Sequence, residues 1–432
     1  MATQVEPGIE EAKSSGGLFR ALSHRNYRLF WTGALLSNVG TWMQVVAQGW
    51  LVLSITNSPF YLGLDAFMAT APGLLFTLAG GVFADLVDRR RLLIYTQIGA
   101  GLSALALAVL ISTGVVRAND FTHVWIVFLL SFLTGCCMAL ASPSYQAITI
   151  DLVGREDLPN AIALNSTQFQ FSRVIGPALA GVTLSAFGLA GCFYANAASY
   201  IAVVASLALV RFEKKEKGDD AVDGARPATT KRALWNDLIE GFKYVRKRPR
   251  VFMLLLISAV TSLFGAPYFS LVPYFARDIF HLGETGLATM MGTAGAGAFF
   301  GALCLVFLGN FKFKGWFVLG GAFFFAAALI GFSLSNDFTT SLIYLFCMGF
   351  AIVCSVAVIN TLLQQLVTDE MRGRVMSMFI LSFMGTMPIG NLLAGSASHR
   401  YGAPYTLATG GLIIAVFVAY VAISNKRLRE LR

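Results

Sequence analysis

The sequence predicts an all-α integral membrane protein: twelve transmembrane helices in two six-helix pseudo-repeat bundles. Three observations predict it. Of 432 residues, 56% are hydrophobic and only 13% are charged, against about 25% charged in soluble domains. The apolar residues gather in runs of the length that a bilayer core of roughly 30 Å requires, about 20 residues. Stretches in the first half of the chain also match stretches in the second.

The runs lie near residues 27–56, 60–84, 91–114, 122–150, 158–187, 190–210, 250–278, 285–309, 315–334, 338–366, 373–399 and 403–425. Several exceed the minimum span, which implies tilt or extension into the headgroups. They are rich in Leu, Ala, Gly and Phe with no sustained period-2 alternation, which argues against a transmembrane β-barrel. Residues 1–26 form an N-terminal segment, polar and disordered over 1–17, with no cleavable signal peptide. The first bundle covers 27–210 and the second 250–425, with a short tail over 426–432. Between the bundles, 211–249 opens on a charged stretch from Arg211 to Asp220 and reads as a solvated linker. It continues into an amphipathic helix with Leu234, Leu238, Phe242 and Val245 on one face and Lys243, Arg246, Lys247 and Arg248 near its end. That helix either lies on the membrane surface or is solvated between the bundles.

The net charge of +9 is distributed as a membrane protein requires and not as a nucleic-acid binder. When loops are assigned to alternate sides, starting inside, only Arg117, Arg277 and Arg400 fall outside. Arg173 lies within a span. The other Lys and Arg share the side of the two termini, which this pattern places in the cytoplasm. The six cysteines all fall in predicted helices, at spacings that fit neither a metal site nor a disulfide framework; they are small packing residues.

The internal repeat aligns Leu152, Val153 and Glu156 with Leu366, Val367 and Glu370. It also aligns Gly176, Leu179, Ala180 and Gly181 with Gly390, Leu393, Ala394 and Gly395. Two such halves are an architecture of secondary transporters, with a substrate site between them. Three motifs sharpen this. Gly81, Asp85, Arg89 and Arg90 follow the loop pattern between helices 2 and 3 of the major facilitator superfamily, although Leu86 and Asp88 depart from it. Arg372 to Gly395, with Leu158 to Asn165, resembles the bacterial branch containing enterobactin-type exporters and macrolide efflux pumps. Arg173-Val-Ile-Gly176-Pro177-Ala-Leu-Ala-Gly181 is similar to the Gly-Pro segment of the superfamily's antiporters. The resemblance spans essentially the whole chain. It implies a secondary active transporter of the bacterial inner membrane, exporting a drug, siderophore or metabolite by alternating access with proton antiport, and working as a monomer.

Asp85 is placed to face the start of helix 11, where a carboxylate near the helix N-terminus gains about 0.3–1 kcal/mol. Arg89 or Arg90 is placed to pair with Asp151. Such contacts either latch the two halves on the cytoplasmic side or merely anchor the topology. Arg173 falls about 22 Å along helix 5, and a mid-membrane Arg costs about 2.5–3.5 kcal/mol on insertion scales. It binds an anionic substrate, holds a carboxylate, or caps backbone carbonyls. Asp65, the only acid well inside a span, lies about 30 Å from Asp85. It is either the protonation site of an antiporter or a solvated carboxylate near the outer membrane edge.

Ser37, Thr41, Gln44 and Gln48 share one face of helix 1. With Gln170 and Arg173 of helix 5, Phe264 and Tyr268 of helix 7, and Asn360 and Gln364 of helix 10, they are expected to line a path for an amphipathic or aromatic molecule. Pro267 and Pro273 should kink helix 7. Gly297 and Gly301, like Ala100, Ala104 and Ala108, form helix-packing faces. The sequence has no Gly-rich Lys-Ser/Thr phosphate loop to drive the process with ATP and no metal cluster. Neither a cofactor nor a nucleic-acid partner is expected; the partners are a small molecule, protons and lipid. The lack of a catalytic cluster argues against an enzyme. An importer or lipid-like-solute flippase of the same fold, or a membrane sensor without turnover, are the competing readings.

Overall fold

A computed structural model describes residues 19–86, 88–210, 231–309 and 311–431, apart from the side chains of residues 75, 77–86, 231–238 and 427. The expectations made for 1–18 and for the charged segment 211–230 lie outside the described residues. Among the described residues the structure is helical, with no strand.

The helices are α1 (Arg25–Thr56), α2 (Pro59–Leu86), α3 (Arg89–Ser112), α4 (Val124–Val153), α5 (Leu158–Leu209), α6 (Lys231–Arg246) and α7 (Pro249–Gly265). They continue as α8 (Pro267–Tyr274), α9 (Glu284–Leu308), α10 (Lys314–Leu334), α11 (Phe338–Leu366), α12 (Asp369–Met384), α13 (Thr386–Tyr401), α14 (Ala403–Ser424) and α15 (Lys426–Arg429). Among the described residues, nine helical runs are long and apolar enough to cross a bilayer. Two further helices, α1 and α2, contribute 32 and 28 residues. The α5 run holds 52 residues, about 78 Å of helix, more than twice the thickness of a hydrocarbon core. It breaks at Gly188, whose φ of 65° is open to glycine at little steric cost. The break lies between the two runs expected from sequence, 158–187 and 190–210.

Proline and glycine set the other interruptions. Helix α7 stops at Gly265 and α8 starts with Pro267 at its N-terminus; a π-helical turn, Phe275–Ile279, follows Pro273. Gly385 separates α12 from α13. Side-chain N-caps hold several helix starts: Asp88 accepts from the Arg91 amide at 2.9 Å and Asp337 from the Thr340 amide at 2.7 Å, satisfying donors that a helix start leaves unpaired.

Helices α1–α5 pack among themselves, as do α7–α14; the two groups meet where α5 crosses α9 and α2 crosses α13. Glycine allows both crossings. A Cβ on Gly295 would collide with the Arg173 carbonyl oxygen, and one on Gly63 with the Asn391 carbonyl oxygen. The aligned glycines play matched parts. Gly176 meets Trp42 of α1 and Gly390 meets the Leu263 carbonyl of α7; Gly181 meets Ala288 of α9 and Gly395 meets Gly63 of α2. Gly297 and Gly301 press on the Phe346 and Phe350 carbonyls of α11, the packing role expected of them. Ala100, Ala104 and Ala108 are buried.

Helix α6 forms as expected, over Lys231–Arg246. It packs on α12: Val245 is buried, Glu240 pairs with Arg374 at 2.7 Å, and the Tyr244 hydroxyl lies 3.5 Å from the Thr368 amide. Tertiary packing has claimed part of its apolar face, although Phe242 remains exposed.

Candidate functional site

Two polar centres lie inside the helical assembly. The first is built on Asp65. Helix α2 carries it toward α1 and α4, where Ser131 donates to Asp65 Oδ1 at 2.6 Å and Gln48 Nε2 donates to the same oxygen at 3.1 Å. Gln48 Nε2 also reaches Ser131 Oγ at 2.9 Å. Asp65 is only 8% exposed. The expectation of a solvated interfacial carboxylate therefore fails: α1 and α4 cover the group and supply its donors. Gln48 Oε1 is buried and has no donor. The triad thus holds an unused acceptor beside a carboxylate. A proton on that carboxylate would have an oxygen to bond to once the amide turns over.

The second centre is Arg173. Its guanidinium lies over the Trp42 ring, 5.2 Å from the centroid. Phe169 and Phe269 stand edge-on to Trp42, each with centroids 5.8 Å away, and Tyr268 stands edge-on to Phe269 at 6.0 Å. Arg173 Nε is buried with no hydrogen-bond partner. Four helices, α1, α5, α8 and α9, fix this cluster. Gly292 and Gly295 bring the α9 backbone against the carbonyls of Val174 and Arg173, and Gln170 donates to the Ala298 carbonyl at 3.2 Å.

The helix-1 stripe divides. Ser37 is buried and its carbonyl accepts from Thr41 Oγ1 at 2.9 Å. Gln44 accepts from Asn196 of α5 at 2.6 Å, and Gln48 joins Asp65. Tyr268 is buried and stands edge-on to Phe269, whereas Phe264 lies against α14, its carbonyl facing Gly410. Gln364 donates to Asn360 at 2.5 Å one turn earlier on α11. Two crevices, of about 570 Å³ between α7, α13 and α14 and about 900 Å³ along α5 and α9, contain neither Asp65 nor Arg173.

The charged cluster at the start of α3 is seen only in part. The side chains of Gly81 and Asp85 lie outside the described residues. Arg89 faces Asp151 at 3.6 Å, joining α3 to α4. Arg90 donates to the carbonyls of Leu207 and Ala208, both at 2.9 Å, joining α3 to the end of α5. These contacts are made within α3–α5.

At the opposite end the groups do touch. Arg277 donates to the Leu53 carbonyl at 2.9 Å and to Asn57 at 2.8 Å, while also pairing with Asp278 at 2.9 Å. Ser58 lies 3.1 Å from His399 Nδ1. The sequence reading did not single out Trp42, Ser131, Asn57 or His399. Trp42 and Ser131 look like ordinary apolar-helix residues along the chain, and only packing assigns their partners.

Buried polar centres on crossing, membrane-length helices define a polytopic membrane protein. The chain belongs to the transmembrane secretion effector family of the major facilitator superfamily, whose model matches residues 16–432. It is 25% identical over 423 residues to the Staphyloferrin A transporter of Staphylococcus aureus, covering 93% of this chain and 97% of that one. Identity is 23% over 416 residues to Macrolide efflux protein A of Streptococcus pyogenes, covering 95% and 99%. It is 22% over 414 residues to the Enterobactin exporter EntS of Escherichia coli, covering 94% of each. Among solved structures, the nucleoside transporter NupG superposes with a TM-score of 0.71 at 11% identity, over 93% of this chain and 99% of that one. The resemblance to the enterobactin-exporter and macrolide-efflux branch is thereby established, and the protein is a multi-pass membrane transporter of a small molecule, not an enzyme.

Proposed function

We propose that this transporter exports a small organic molecule across the bacterial inner membrane by alternating access, driven by proton antiport. The observation that carries the coupling is the buried Asp65 carboxylate, held by Gln48 and Ser131 and able to keep hydrogen-bond partners in both protonation states. The direction is supported by the relatives named for efflux and export. The twelve crossings are α1 to α4, the two arms of α5, α7 with α8, α9, α10, α11, α12 with α13, and α14. They fall into bundles over 27–210 and 250–425, joined by 211–249. The matched glycine contacts of α5 and α13 support that pseudo-symmetry. Both termini face the cytoplasm, and the protein acts as a monomer in lipid.

In this reading Ser37, Thr41, Gln44, Gln48, Gln170, Arg173, Phe264, Tyr268, Asn360 and Gln364 contribute to the path. The Gly176-Pro177-Gly181 segment lets α5 slide between α1 and α9. Gly81, Asp85, Arg89, Arg90 and Asp151 form the cytoplasmic gate, and Arg277, Asn57, Ser58 and His399 close the other end.

Proton coupling has a direct assay. Everted vesicles energised by a pH gradient are given a panel of macrolides and siderophores. A transported compound should collapse the gradient in wild type and leave it intact in Asp65→Asn at equal membrane abundance. Efflux in Asp65→Asn that still consumes the gradient would remove Asp65 from the mechanism. Movement of every compound in the opposite sense would establish an importer.

A further inference from the structure

We propose that Arg173 is the anion-binding residue of the substrate site, and that the transported molecules are organic anions with a flat conjugated body. The inference rests on the transport reading above and adds the class of substrate.

It starts from what Arg173 lacks. A cation at mid-membrane normally faces a carboxylate or a ring of carbonyl oxygens. Even cations at the ends of the helices have such partners: Arg277 has Asp278, the Leu53 carbonyl and Asn57, and Arg374 has Glu240. Among the described residues Arg173 forms no ion pair, and its Nε–H is buried without an acceptor. Asp65 does not serve it either, because its hydrogen bonds run to Gln48 and Ser131. Both structural explanations considered from sequence, a held carboxylate and a carbonyl cap, are therefore without a contact to support them.

What surrounds Arg173 instead is aromatic. Trp42 covers the guanidinium and is flanked by Phe169 and Phe269, with Tyr268 beyond. A ring face attracts the cation but does not neutralise it. The planar donor fork stays free to take both oxygens of a carboxylate or sulfonate. Phe169 is 47% exposed and Trp42 and Phe269 are half-buried, so these rings supply apolar surface against which a flat body can pack edge-on or offset. The site lies where α5 of one group crosses α9 of the other, so a molecule bound there touches both groups and can respond to their movement.

The test uses the full chain in lipid nanodiscs and a matched pair of probes, 2-naphthoate and its neutral isostere 2-naphthamide, with the benzoate and indole-carboxylate pairs alongside. In wild type at least one carboxylate should bind about tenfold tighter than its amide. Arg173→Met should bring the two within about twofold of each other while amide binding persists, and Arg173→Lys should retain part of the preference, because a point charge attracts without the planar fork. Persisting amide binding shows that Arg173→Met is folded. Equal affinities in wild type, no binding of any pair, or a preference that survives Arg173→Met would overturn the inference. Gradient-driven export of the neutral amides but of none of the carboxylates by wild-type proteoliposomes would overturn it while leaving the transport reading intact.

Discussion

At the scale of single residues, neutral donors decide how an intramembrane carboxylate is used. Among the described residues Asp65 is not matched with a cation; its partners are Ser131 and Gln48. An ion pair would hold the carboxylate charged, whereas Ser131 and Gln48 can each donate or accept. Ser131→Ala removes the shorter of its two hydrogen bonds and should impair gradient-driven efflux less than Asp65→Asn does, with Gln48 still in place. A Ser131→Ala transport rate equal to that of Asp65→Asn, measured in everted vesicles at matched abundance, would show that the serine is itself part of the proton path. Asp65 and Arg173 were legible from sequence because a charge within a membrane-length run is costly and therefore conspicuous. Their surroundings were not. The sequence placed Asp65 near a membrane edge by counting residues, and counting cannot reveal that α1 and α4 close over it.

At the scale of helices, glycine sets the crossings. A Cβ at position 297 meets the backbone of Phe346, which cannot rotate away as a side chain could. Gly297→Ala should therefore destabilise the protein by about 1–3 kcal/mol, the range for overpacked cores, and lower the melting temperature in detergent. An unchanged melting temperature would mean that α9 and α11 can separate at little cost. The end of the molecule bearing Arg277 is held by directional bonds to the last turn of α1. Arg277→Ala deletes the donors to Leu53 and Asn57, and distances between spin labels at Thr113 and Asn336 should lengthen or broaden. A distribution identical to that of the otherwise native protein would show that the glycine crossings alone keep this end closed. The small-residue spacing of α9 was readable in the chain, since Gly297 and Gly301 stand one turn apart. The docking of α6 on α12 was not, because amphipathicity reports an apolar face and says nothing of what covers it.

At the scale of the whole molecule, the proposed reading has charge set the orientation and the repeat organise movement. A cysteine introduced in the 211–230 segment should react with a membrane-impermeant maleimide in everted vesicles and not in intact cells. Labelling from outside intact cells would invert the proposed topology, and with it the direction of proton flow. The correspondence of Gly176 with Gly390 and Gly181 with Gly395 extends from sequence into space. The first pair sets α5 and α13 against the first helix of their own group, and the second sets them against a helix of the other. Rocking of one group on the other can then proceed without separating either from its own core.

The sequence by itself determined the solvent of this protein, the positions of its membrane helices and the presence of two costly internal charges. Composition and run length are local properties of the chain, and hydrocarbon penalises their violation residue by residue. Only the tertiary structure decided which neighbours those charges have. Asp65 gains a serine and an amide from helices remote in sequence, and Arg173 gains rings and no carboxylate. Those contacts depend on the rotation and crossing of whole helices, which the hydrophobic pattern of a helix exposed to lipid and protein on all sides leaves unspecified.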